Sequence, residues 1–223
     1  MTYNFRTIVN HVLRKTEFAP VSESVDSEFS GNNIDPFVER VKDWTNEVYF
    51  EIVNSGYWRF LESESLINTV EGQVNYLLAS DCSANRIINV RETSTPALLK
   101  RKDFKDIDIL HPDVSQTTSS TPVYYYFVNN QIYFHPVPDR EITVKYRYYK
   151  TACELVYPED VPAIPEHWKW VLVNGVLVKA NQYLQDQTTE HAQIQYLNSL
   201  LQMRAANRAD RQNKNRFKPC QED

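Results

Sequence analysis

The sequence predicts an α+β protein in which helices from both ends of the chain pack as an antiparallel bundle and a mainly antiparallel β region is inserted between them. Apolar residues recur at helical spacing near both ends of the 223-residue chain, whereas apolar and polar residues alternate in the middle. Because broad apolar stripes must be buried against another layer, the two helical ends are expected to pack together. The predicted segments are N-terminal helices at 1–56, a β-rich insertion at 57–157, C-terminal helices at 158–211 and an extended basic tail at 212–223.

The N-terminal region contains two helical patterns separated by a polar segment. The first helix is predicted at 3–16, and the second begins at Asp35, a capping residue, with Pro36 in its first turn and Gly56 at its end. Between them, 17–33 is rich in Ser, Asp and Glu and is expected to be a loop or extended arm.

The middle of the chain reads as short strands. They are expected near 60–68, 73–78 and 86–92, with one or two helical turns at 103–110 and a Ser/Thr-rich loop at 111–121. A three-strand meander is then predicted over 123–128, 131–135 and 141–149. Its first turn is the Asn129-Asn130 pair, since asparagine tolerates the positive φ of a two-residue hairpin turn.

Helical spacing returns after Pro165, which lies just inside the start of a helix whose wide apolar face makes it central. Gly175 within this helix lowers its propensity, so another helix is expected to approach closely there. A last helix is predicted from Thr188. Its apolar residues at helical spacing are Ile194, Leu197, Leu201 and Ala205.

The charge of the chain is unevenly distributed. The net charge of −5 divides into +3 for residues 204–223, with six bases against three acids, and −8 for residues 1–203. An acidic body with a basic terminal arm is typical of an arm that contacts partners. A solvated terminus and a DNA contact remain as alternatives for the arm.

The sequence contains no pattern typical of an enzyme, a cofactor site or a metal site. Four glycines leave no phosphate-binding loop, three scattered cysteines form no CxxC motif, and five histidines have no metal-ligand spacing. Asp106, Asp108 and Asp113 fit a solvated turn better than a cation site, and Glu62 and Glu64 fit a strand edge better than an acid/base pair.

Two further expectations concern membranes and nucleic acids. No signal peptide is expected, and the longest apolar stretch, near 171–177, is too short to span a membrane, so a soluble protein is expected. The tyrosine clusters, together with the basic tail, leave single-stranded nucleic-acid binding open, although core and interface packing is favoured. These clusters are Tyr124, Tyr125 and Tyr126, and Tyr146, Tyr148 and Tyr149.

Several motifs resemble phage head-to-tail adaptor proteins, the connectors that form a ring on the portal. They cover about 34–205 and consist mainly of aromatic and proline placement. They are Gly56-Tyr57-Trp58-Arg59-Phe60-Leu61, Glu71-Gly72-Gln73-Val74-Asn75-Tyr76-Leu77, Pro122-Val123-Tyr124-Tyr125-Tyr126, Asn130-Gln131-Ile132-Tyr133-Phe134-His135-Pro136-Val137-Pro138-Asp139, Val144-Lys145-Tyr146-Arg147-Tyr148-Tyr149 and Ile164-Pro165-Glu166-His167-Trp168.

The resemblance implies a non-enzymatic virion protein at the head–tail interface, assembled in the host cytoplasm as a ring, usually of twelve copies. The ring would bind the portal protein, extend the channel through which genomic DNA passes without sequence-specific binding, and carry the next tail protein. No cofactor and no membrane partner are implied. The implied portal-binding arm consists of Arg204, Arg208, Arg211, Lys214, Arg216, Phe217 and Lys218. Another phage tail or baseplate protein is the alternative.

Overall fold

The computed structural model describes residues 3–22, 29, 34–94, 98–110 and 119–214. These residues divide into two compact units, of which one comprises the described residues up to Phe60 and from Ala152 onward and the other is Leu61–Thr151. The first unit is helical, and the second contains all the described strands. The predicted α+β class is therefore confirmed, with helices from both chain ends in one bundle and a β region inserted between them in the sequence.

The helices lie close to their predicted positions. They are α1 (Phe5–Lys15), α2 (Pro36–Asn54), α3 (Phe104–Leu110), α4 (Lys169–Leu184) and α5 (Thr189–Lys214). The predicted cap of α2 is confirmed, since the Asp35 carboxylate accepts a hydrogen bond of 2.7 Å from the backbone N–H of Phe37. Most of the predicted loops at 17–33 and 111–121 lies outside the described residues.

Helix α4 is the centre of the helical unit, as its wide apolar face predicts. It packs against α1, α2 and α5. A 3-10 turn at Glu166–Trp168 leads into it from Pro165. Helix α5 continues to Lys214, three residues beyond the predicted end of the C-terminal helices at 211.

The face of α5 that packs against the bundle differs from the predicted one. Ile194, Leu197 and Leu201 are 58%, 48% and 59% exposed. Among the described side chains of this helix, the buried ones are instead Ala192 and Met203, with Tyr196 half-buried between them. The prediction of the α5 packing face was wrong because Tyr196 fits into the space above Gly175, which has no side chain of its own.

The β unit consists of two sheets around one core. The strands are β1 (Glu62–Asn68), β2 (Asn75–Leu77), β3 (Ile87–Glu92), β4 (Lys100–Arg101), β5 (Tyr124–Val128), β6 (Gln131–His135) and β7 (Thr143–Tyr149). One sheet has the order β1-β7-β3 and the other β2-β6-β5-β4. The β4–β5 pairing is parallel, and the other pairings between described strands are antiparallel.

The hairpin between β5 and β6 is confirmed, with φ values of 49° and 60° at Asn129 and Asn130. The meander prediction is wrong at its last step, because β7 does not pair with β6. It lies instead at the centre of the other sheet, between β1 and β3. Its alternating residues Val144, Tyr146 and Tyr148 are buried in the core that both sheets share.

Candidate functional site

The candidate site lies where α5 meets the segment that follows α2, within the helical unit. Asn207 of α5 binds this segment through both ends of its side-chain amide. Its Oδ1 accepts a 2.9 Å hydrogen bond from the backbone N–H of Arg59, and its Nδ2 donates a 3.0 Å hydrogen bond to the carbonyl of Tyr57. One side chain therefore fixes the 57–59 segment on the C-terminal half of α5.

Trp58 anchors the same segment from the other side. It is 1% exposed, and its indole Nε1 donates a 2.7 Å hydrogen bond to the carbonyl of Ile52 in the last turn of α2. Its ring stacks on that of Phe60, with centroids 5.8 Å apart. The hydrogen bond satisfies both the buried indole and one of the carbonyls that a helix end leaves without an intrahelical partner.

An apolar pocket of about 370 Å³ lies between this segment, the 3-10 turn and α5. We call it the aromatic pocket. Its lining is Trp58, Arg59, Phe60, Pro165, His167, Trp168, Met203, Ala206 and Asn207. Its aromatic rings and Met203 form a wall of the kind that accepts one large side chain.

A second pocket of about 320 Å³ adjoins the first, since Trp58 and Asn207 line both. We call it the arginine pocket. Its lining is Ser55, Gly56, Tyr57, Trp58, Arg204, Asn207 and Arg208. Among the described residues, no carboxylate lines either pocket. The arrangement can hold an apolar group next to an anionic group, because arginine recognises carboxylates through paired N–H donors.

The structure brings together two of the seven residues expected in the basic arm. Arg204 is half-buried and Arg208 is exposed, and both line the arginine pocket. Arg211 and Lys214 belong to α5, but the placement of their side chains lies outside the described part of the chain. Arg216, Phe217 and Lys218 also lie outside the described residues.

Sequence reasoning missed the residues that build the pockets next to these arginines. Trp168 and Phe60 belong to family-like motifs that do not indicate a pocket, and Asn207 has no sequence signal that separates it from other helix-surface asparagines. The spacing of Arg204 and Arg208 correctly placed both on one side of a helix. The pockets arise from contacts between segments about 150 residues apart in sequence.

The tyrosine clusters mainly contribute to the core of the β unit. Tyr125, Tyr126, Tyr146 and Tyr148 are buried. The Tyr148 hydroxyl donates a 2.7 Å hydrogen bond to Asp81, and burial followed by this bond raises the pKa of Tyr148 to about 12. Rings in these positions are not accessible for stacking on bases, which removes the main support for a nucleic-acid surface built from these clusters.

Of the acidic residues considered for chemistry, Glu64 has structural partners and two others lie wholly or partly outside the description. Glu64 contacts Lys145 at 2.7 Å and Arg147 at 3.5 Å, and the hydrogen bond from Lys145 lowers the pKa of Glu64 below its ordinary value. Asp113 and the side chain of Asp108 lie outside the described residues. Among the residues that are described, no group of three or more His, Cys, Asp or Glu could hold a metal ion.

Among the described residues, no helix has the length and apolar character needed to cross a bilayer.

A family model for the SU10 adaptor protein matches residues 4–218, which is nearly the whole chain. The comparison with curated proteins finds no match. The family match includes both units of the fold and the helix that carries Arg204 and Arg208. The chain therefore belongs to the SU10 adaptor protein family, a family of phage adaptor proteins.

Proposed function

We propose that the protein is a structural, non-enzymatic head-to-tail adaptor that forms a ring under the portal, extends the DNA channel and provides the platform for tail attachment. Membership of the adaptor family supports this role. The observation that carries it in the structure is the basic end of α5, where Arg204 and Arg208 line a pocket whose described lining includes no acidic residue. Such a surface suits a protein partner with carboxylates.

The portal contact is the basic arm that begins on α5. The arm consists of Arg204, Arg208, Arg211, Lys214, Arg216, Phe217 and Lys218. Asn207 holds the base of the arm to the 57–59 segment, so the arm starts from a fixed point on the helical unit. A single arm binds the portal weakly. A ring of about twelve copies binds more tightly, because the first contact raises the effective concentration of the remaining arms at the portal.

The acidic body is consistent with a channel that DNA must leave freely. Residues 1–203 carry a net charge of −8. Like charge between a channel wall and the phosphate backbone limits adhesion during DNA ejection, and no sequence-specific DNA contact is part of the proposal. The protein acts in the virion at the head–tail interface after assembly in the host cytoplasm, and its downstream partner is a tail protein.

The experiment that tests the role removes the end of the arm and leaves its base. Deleting 210–223 retains Asn207 and both pocket arginines, whereas deletion from 204 would also remove the Asn207 hydrogen bonds. We expect the chain truncated after Ala209 to remain folded and to lose co-sedimentation with purified portal rings. The matched control keeps the length and replaces Arg211, Lys214, Arg216 and Lys218 with Gln, which separates charge from chain length. Unimpaired docking of the truncated chain would contradict the assignment.

A further inference from the structure

The helical unit carries an exposed acidic segment with the chemistry that the two pockets lack. We call residues 153–161 the acidic loop. Tyr157 within it is 69% exposed, and Val156 and Val161 are also exposed. The loop contains Glu154, Glu159 and Asp160 and has no Lys or Arg.

The acidic loop is held in one conformation by hydrogen bonds within the loop and to helices α1 and α2. The carboxylate of Asp160 accepts hydrogen bonds of 2.7 Å from the backbone N–H groups of both Val156 and Tyr157. The backbone N–H of Phe5 in α1 donates to the carbonyl of Asp160 at 2.8 Å. Leu155 is tied to Asn46 of α2, whose amide binds both backbone groups of Leu155. A segment that is already ordered loses little entropy when it binds.

The pockets have the opposite composition. The aromatic pocket offers the rings of Trp58, Phe60 and Trp168, and the cations at the two pockets are Arg59, Arg204 and Arg208. The acidic loop offers Tyr157 to the first pocket and the exposed side chain of Glu154 to the second. Its other two carboxylates have contacts within the chain, since Glu159 contacts Asn4 and Arg6 and Asp160 binds backbone N–H groups of its own loop. In its own chain, Tyr157 lines neither pocket and stays mostly exposed, so the loop is not used as an intramolecular plug.

We propose that the acidic loop of one copy docks in the pockets of the next copy, with Tyr157 in the aromatic pocket and Glu154 facing Arg204 and Arg208. This contact rests on the proposed ring, for which it supplies the subunit interface. Two different, complementary surfaces on one chain form a heterologous contact, and a contact of that kind closes into a ring when its rotation permits. This contact reassigns Arg204 and Arg208 from the portal to the neighbouring copy. The portal-binding part of the arm then becomes Arg211, Lys214, Arg216, Phe217 and Lys218, the residues that truncation after Ala209 removes.

The chemistry of the contact explains why it would be specific and yet weak for a single pair of subunits. Tyrosine, tryptophan and arginine are the residues that most often dominate binding energy at protein interfaces. Complementary charges orient the partners and exclude wrong pairings more than they add affinity. A single loop in a pocket buries little area, so the closed ring is stabilised by repetition of the contact.

Self-association of the full chain tests the contact without the portal. We expect sedimentation velocity to show concentration-dependent association of wild-type chains. Tyr157→Ala or Trp168→Ala should raise the dissociation constant at least about tenfold. The matched controls are Tyr183→Ala and Trp170→Ala, because both residues are partly exposed on the same unit and line neither pocket. If Trp168→Ala lowers stability, Tyr157→Ala still tests the contact, because Tyr157 is exposed and its replacement leaves the fold intact.

Mixing the two variants gives a second readout that a folding defect would not produce. The Tyr157→Ala chain retains the pocket and the Trp168→Ala chain retains the loop. An equimolar mixture is therefore expected to form heterodimers at concentrations where each variant alone stays largely monomeric. Wild-type chains that stay monomeric up to about 1 mM, or variants that associate like the wild type, would overturn the contact. If the wild type does not self-associate through the pockets but still docks on portal rings, the proposed function stands and this interface fails. If the chains associate through the pockets but do not dock on portal rings, this interface stands and the proposed function fails.

Discussion

Gly175 of α4 faces the ring of Tyr196 on α5 so closely that a Cβ atom at Gly175 would lie 2.9 Å from the ring atom Cε2. The same Cβ would lie 2.5 Å from a methyl carbon of Val48 on α2. Three helices therefore meet at a position where only hydrogen fits. The close approach that the lone glycine predicts in a helical pattern is confirmed, and it fixes how α5 lies on the bundle.

Gly175→Ala is therefore expected to destabilise the protein, although alanine favours helix by about 1 kcal/mol. The new methyl group must displace Val48 and Tyr196, and overpacking of this kind costs about 1–3 kcal/mol. Urea denaturation followed by circular dichroism measures the change in the free energy of unfolding. Gly56→Ala is the matched control, because its Cβ would approach Trp58 no closer than 3.8 Å. Equal stability of the two variants would show that the helices separate without cost.

Replacing Asn207 with Ala is expected to lower stability by about 1–2 kcal/mol, since the hydrogen bonds from Asn207 to the backbone of Tyr57 and Arg59 are then lost. The loss should be accompanied by faster amide hydrogen exchange at Arg59, which donates one of the two bonds. Asn198→Ala on the exposed side of the same helix is the control. No change in exchange at Arg59 would mean that the segment is held by Trp58 alone.

The sequence predicted elements better than it predicted which faces meet. Helix α5 has two candidate apolar faces, and the periodicity of Ile194, Leu197 and Leu201 favours the one that the structure leaves exposed. The choice between them depends on the hollow at Gly175, which accepts Tyr196 and lies in another helix. Periodicity along one segment contains no information about the shape of its partner, so this error could not be avoided from the sequence alone.

Strand β7 and the pockets show the same limit over longer distances. Alternation correctly predicted the buried side of β7, but the partners β1 and β3 are chosen by packing over a core that two sheets share. The stripe of Arg204 and Arg208 was readable from local spacing. The pocket beside it was not readable, since Trp58 and Trp168 come together only when the two ends of the chain form one bundle.

Thiol reagents should distinguish two of the three cysteines. Cys82 is buried in the core of the β unit, and burial followed by the nearby Asp81 raises its pKa to about 12, whereas Cys153 is exposed. Because the thiolate is the reactive species, Cys82 should react at least about 100-fold more slowly than Cys153 at pH 8. A Cys220→Ser background and mass spectrometry of the labelled peptides measure the two rates. In denaturant the two cysteines should be labelled at similar rates. Similar rates for Cys82 and Cys153 in the native state would contradict the burial of Cys82.

The stability of the helical unit should decrease on the acid side of neutrality because of His11. Burial lowers the pKa of His11, as do the nearby cations Lys169, Arg14 and Lys15, and its ring lies 5.3 Å from that of Trp170. In the unfolded chain the pKa is the ordinary value of about 6.5, so the unfolded state binds more protons than the folded state just below that pH. The contribution of neutral His11 to the free energy of unfolding is therefore complete above about pH 6.5 and is lost as the pH falls towards the folded pKa.

Urea denaturation at a series of pH values should show this loss of stability in the wild type and a smaller loss in His11→Gln. An NMR titration of His11 with a midpoint at or above 6.5 would show that the ring is not destabilised as a cation and would remove the basis for the effect.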